Sequence, residues 1–212
     1  MQQLKEIKRL YRLYMNGVVS HSMRSKGVDY RVNFGLTMPL LRRIVEQIEP
    51  SVAIAEELWQ DRGVRESMLL APMVFPVSKC THSVAQRWVE EMPNTEVADF
   101  CCKFLFSQLP YAVELVEEWV KTESDMIVYT GFRLAYSLLE SVDNTEWVRS
   151  VAEWAVVVAY QGHSVAVAAA RRYLTEALLC ERAGAVVVQV LQQASGVDAE
   201  WRDNLIALYD AR

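Results

Sequence analysis

The feature that most constrains this chain is self-similarity. The stretch Pro50-Ser-Val-Ala-Ile-Ala-Glu-Glu-Leu-Trp59 is echoed by Pro110-Tyr-Ala-Val-Glu-Leu-Val-Glu-Glu-Trp119. Segments 65–71, 99–105 and 133–139 begin 34 residues apart each time, and a further step of 35–39 residues reaches 168–172. A period near 34 with two helices per unit predicts stacked antiparallel helix pairs, an all-α solenoid of HEAT type, curved with a concave groove. One pair cannot bury its apolar face alone, so neighbours must stack into a continuous core. A single domain over 1–212 is expected, with basic helices in 1–43 capping the stack.

Local patterning agrees with this. Ile7, Leu10, Tyr11 and Tyr14 recur at helical spacing, as do Leu40, Leu41, Ile44, Val45 and Ile48. Valine-rich runs at 155–159, 165–167 and 186–190 tempt toward strand. Each nevertheless sits among Glu, Gln, Ala and Leu at helical spacing, and valine lowers helix propensity by only about 0.5 kcal/mol. Turns are expected at Pro50, Gly63, Pro76, Pro93-Asn94, Pro110, Asp143-Asn144, Gly162 and Gly196. Ser51, Asn94, Asn144 and Ser164 are placed to cap the helices that follow. The result is about a dozen helices joined by short turns.

Charge is unevenly distributed. The net charge is −5, yet residues 1–43 carry nine basic side chains against Glu6 and Asp29. That segment is +7, which leaves −12 for residues 44–212. A basic end suggests an anionic partner there, or simply a solvated helix face. The apolar stretch from Trp154 to Ala170 is broken at Gln161-Gly162-His163-Ser164, too soon to cross a bilayer. Cys80, Cys101, Cys102 and Cys180 show no C-x-x-C pairing and fit small buried thiols in a reducing, cytoplasmic setting. His21, His82 and His163 are scattered, so no metal or other cofactor is expected.

In a solenoid, equivalent positions of successive repeats project into one groove. Arg65, Asp99, Arg133 and Arg172 hold roughly equivalent positions. They either form one site or pair with their neighbours at repeat junctions. Asp99 also has Lys103 one turn on, a local ion-pair candidate.

Several segments together resemble the DNA alkylation repair family of HEAT-like proteins, over about residues 30–191. Val32-Asn-Phe-Gly-Leu-Thr-Met-Pro-Leu-Leu-Arg-Arg-Ile44 is similar to its leading aromatic-Gly-x-x-x-Pro turn and basic helix. Glu57-Leu-Trp59 with Arg65-Glu66 resembles its E-L-W…R-E helix pair. Asn94-Thr-Glu-Val-Ala-Asp99 resembles its Asn-Trp-Asp-x-x-Asp segment, and Gly131-Phe-Arg133 its following basic position. Active members are DNA glycosylases that remove cationic N3- and N7-alkylpurines from duplex DNA. The resemblance implies Asp99 as the catalytic carboxylate and Arg133 as a phosphate contact, with Arg42 and Arg43 in the basic helix.

Two positions depart from the pattern. The Trp that precedes the Asp in active members falls on Thr95, with Glu96 keeping the acidic neighbour, and a second Trp falls near Arg172. Aromatic faces favour a cationic lesion; Thr95 offers none, and Arg172 opposes one. Tyr173 is next to Arg172, but one residue along a helix turns a side chain by about 100°. The sequence therefore leaves three readings: an alkylpurine glycosylase, a non-catalytic DNA-binding relative, or a repeat scaffold for a protein partner.

Overall fold

Every turn expected from the sequence falls between helices. The computed structural model describes residues 2–211, and among these the chain forms thirteen α-helices, two short 3-10 turns and no strand beyond one isolated bridge, Val32 to Val64. By contact it divides into two compact units, Met1–Thr81 and His82–Arg212. No helix of the described residues is long and apolar enough to cross a membrane.

The first unit holds α1 (Gln2–Leu13), α2 (Gly17–Ser25), α3 (Met38–Val45), α4 (Val52–Gln60) and α5 (Arg65–Val74). The pair α4–α5 is its centre, with α1 laid on α4 and α3 on α5. The apolar stripes meet here: Ile7, Tyr11, Leu41, Ile44, Leu58, Trp59 and Met68 are all buried. Leading into α3, the segment 32–36 has no helix to satisfy its backbone, and α5 does part of that work, with Asn16 and Ser20 binding the Phe34 and Asn33 carbonyls. The fully buried Glu66 accepts the N–H groups of Phe34 at 3.1 Å and Leu36 at 3.3 Å. Gly35 turns with φ +74°, where a Cβ would run into the Asn16 carbonyl. Pro72 lies inside α5, which ends two residues later at Val74.

The second unit holds α6 (His82–Glu90), α7 (Thr95–Phe104), α8 (Ala112–Trp119), α9 (Asp125–Leu138), α10 (Thr145–Ala159), α11 (Val165–Leu179), α12 (Gly184–Gln193) and α13 (Ala199–Asp210). Helix pairs α8–α9 and α10–α11 are the repeats, and α7, α9 and α11 stack side by side as one layer. The valine runs all lie in helices α10, α11 and α12. Asn94, Asn144 and Ser164 each accept the N–H three residues on, whereas Ser51 stands at the start of α4 without a side-chain bond of that kind. Between α9 and α11 the rings of Phe132 and Tyr173 pack 6.1 Å apart, both buried. Burying each such side chain contributes about 1.5–3 kcal/mol. Gly131 lets α8 come close: a Cβ there would meet Trp119 Cβ at 3.1 Å and Val120 N at 3.1 Å.

Candidate carboxylate site and nucleic-acid interface

The α7–α9–α11 layer brings the chemistry together. On α7, Asn94 caps the helix and Val97, Ala98, Cys101 and Cys102 turn inward. Asp99 follows that buried pair and so sits at the rim, with its side chain 40% exposed. On α9 the buried face comprises Val128, Thr130, Gly131, Phe132, Leu134, Ala135 and Leu138. Tyr129, Arg133 and Tyr136, at helical spacings of four and three, form a half-buried stripe beside it.

Asp99 and Arg133, 34 residues apart, meet across the α7–α9 seam. Arg133 Nε donates to Asp99 Oδ1 at 2.7 Å, and the Tyr129 hydroxyl donates to the same oxygen at 2.9 Å. Neither group bonds Oδ2. The local alternative, Asp99 with Lys103, is not what forms; Lys103 lies 5.6 Å from the Phe104 ring. A carboxylate on the rim of one helix finds a stronger partner in a guanidinium held by the next.

The surroundings set protonation. Burial works against the Arg133 charge, but the hydrogen bond and charge of Asp99 more than offset it, and its pKa is raised. Burial pushes the Tyr129 phenol up, and the Asp99 charge pushes the same way. Burial likewise raises the Cys102 thiol beneath, which points to the Thr130 carbonyl and is no nucleophile. All four cysteines are buried, and none forms a disulfide among the described residues.

Arg172, on α11, reaches the same stripe. Its guanidinium lies 5.5 Å from the Tyr136 ring centre, and that of Arg133 lies 5.0 Å from it. Arg172 is 57% exposed and is held only loosely by Glu176, at 3.7 Å. Tyr173 turns into the core, as the helical rotation requires. Thr95 and Glu96 open α7, both half-buried, one turn before Asp99.

In the first unit the predicted contacts divide. Arg42 and Arg43 are exposed on α3, with Arg43 5.5 Å from the Tyr14 ring. Arg65 is only 5% exposed. Its guanidinium donates to the Leu36 carbonyl at 3.1 Å and pairs with Glu66 at 3.4 Å, so its charge is turned inward. Tyr129 and Tyr136 escape the sequence reading. The signal for both is their position on the Arg133 face of a helix, four residues before and three after.

Residues 8–156 match the family model described as DNA alkylation repair enzyme. No curated protein matches the chain. A solved structure described as "A new family of proteins related to the HEAT-like repeat DNA glycosylases with affinity for branched DNA structures" superposes with a TM-score of 0.81. At 13% identity it covers 98% of this chain and 94% of its own. That likeness is one of fold.

Proposed function

Because the chain belongs to the DNA alkylation repair enzyme family, we propose that it binds duplex DNA and excises cationic N3- and N7-alkylpurines, with Asp99 as the reacting carboxylate. One observation carries this reading. Asp99 is fixed through Oδ1 by two donors, while Oδ2 takes no hydrogen bond among the described residues, on a side chain open to solvent. Alkylation at a purine ring nitrogen makes the base a cationic leaving group. Its departure leaves an oxocarbenium-like sugar, which a carboxylate stabilises electrostatically while it orients the attacking water. Exposed Arg172 on α11 contacts phosphate, and Arg42 and Arg43 bind backbone from α3. Arg65 has no part in this interface.

A second reading rests on Arg172. An exposed cation stands where active relatives place an aromatic face, and Thr95 supplies no other. That arrangement favours phosphate over a cationic base, as in a DNA-binding relative without excision, with branched DNA as the structured ligand to try first.

Duplexes carrying 7-methylguanine or 3-methyladenine decide between them. Base release by the native protein, abolished by Asp99→Asn with binding retained, supports excision. Salt-sensitive binding without release supports the second reading. Failure to bind any DNA rejects both.

A further inference from the structure

An arginine and a carboxylate free to choose their geometry close fork to fork, with two parallel N–H···O bonds. Arg133 and Asp99 do not. Their contact is a single bond, Nε to Oδ1 at 2.7 Å, and Arg133 Nη1 is buried without a hydrogen-bond partner among the described residues. The Tyr129 hydroxyl shares Oδ1 at 2.9 Å. It lies one turn from Arg133 on the same helix, so a rigid backbone sets the two donors relative to each other.

We propose that Tyr129 is a positioning residue: by donating to Oδ1 it holds Asp99 in one-oxygen pairing with Arg133 and keeps Oδ2 available to the sugar. This rests on the reading of Asp99 as the reacting carboxylate. Without the phenol, the carboxylate turns about its Cβ–Cγ bond and the guanidinium takes both oxygens. Oδ2 is then bonded before substrate arrives, and a carboxylate so neutralised no longer faces the developing cation. The phenol suits the task because it is a neutral donor. Burial, with the Asp99 charge beside it, raises its pKa and so favours the neutral, donating form. It touches neither base nor sugar, and acts through Asp99 alone.

The test is Tyr129→Phe, which keeps the ring and removes one oxygen. Base release slows about a hundredfold, the order expected when a reacting group is misplaced. Duplex affinity stays within about twofold, since no phosphate contact is touched. Combining it with Arg133→Lys separates positioning from packing, because an ammonium cannot form the fork. In the Arg133→Lys background, Tyr129→Phe costs far less than in the native one. Equal losses in both backgrounds, or no loss in the native one, overturn the proposal. Should the native protein release no base, crystal structures of the native protein and Tyr129→Phe still decide. A two-oxygen Asp99–Arg133 pair in the variant alone supports positioning, and an unchanged one-oxygen pair overturns it.

Discussion

Replacing Arg65 by methionine separates two roles that the sequence leaves joined. As a DNA contact, Arg65 would contribute little to stability, and its loss would lower the salt dependence of binding by about 0.9 in log–log slope. The structure makes the opposite demand. Arg65→Met removes the partner of a fully buried carboxylate and leaves the Leu36 carbonyl without its 3.1 Å donor. Breaking a buried pair on one side costs about 3–5 kcal/mol. Glu66 keeps its two backbone donors from Phe34 and Leu36, which places the loss at the lower end, about 3 kcal/mol. Urea unfolding followed by fluorescence suits this unit, because Trp59 is fully buried there. Duplex binding by folded protein, measured from low to high salt, should keep its slope. The opposite result, stability kept within about 0.5 kcal/mol with the slope reduced, would refute the burial argument.

Other expectations follow from particular contacts. Arg42→Ala should behave inversely, lowering the salt slope by about 0.9 while unfolding stays within about 0.5 kcal/mol of native. Gly131→Ala should destabilise by about 1–3 kcal/mol despite alanine's better helix propensity, because its Cβ would meet Trp119 and Val120 closer than ordinary van der Waals contact; a stabilised variant in thermal unfolding would contradict this. Burial raises the pKa of Tyr11, Tyr173 and Cys102 in the folded protein. The unfolded chain therefore ionises them first, at about 8.5 for cysteine and about 10 for tyrosine. Stability should be unaffected by them below about pH 8, then fall with rising pH by up to about 1.4 kcal/mol per pH unit per group. Flat urea midpoints between pH 7 and 10.5 would exclude this. Thr95→Trp with Arg172→Trp should raise release of 7-methylguanine, by about five- to thirty-fold if each face contributes about 0.5–1 kcal/mol as exposed cation–π contacts do; unchanged release counts against an aromatic requirement.

Helix order was legible because it depends on local chemistry. Proline and glycine break the ladder, and Asn94, Asn144 and Ser164 cap it, wherever they stand. The 34-residue offset also placed Asp99 opposite Arg133, and the pair does form. Packing supplied what pattern could not. Arg65 shares that offset, yet it opens α5, whereas Asp99 stands within α7 and Arg133 deep within α9. Position in the repeat therefore does not fix position relative to the helix end, and Arg65 turns toward Leu36 and Glu66. Tyr129 carries no motif at all. Only the three-dimensional neighbourhood of Asp99 gives it meaning.

The meeting of Asp99 and Arg133 across a helix seam makes helix phase, not loop length, the heritable property of this site. Residues 121–124, between α8 and α9, are exposed, and extra residues there would leave α9 seated as it is. One residue inserted within α9 ahead of Tyr129 would turn the following side chains by about 100°. The stripe of Tyr129, Arg133 and Tyr136 would then exchange places with the face that packs the interior, and either the fold or the site would have to yield. Lineages of such repeats can vary their turns freely, but a site of this kind survives only where helix lengths are conserved to the residue.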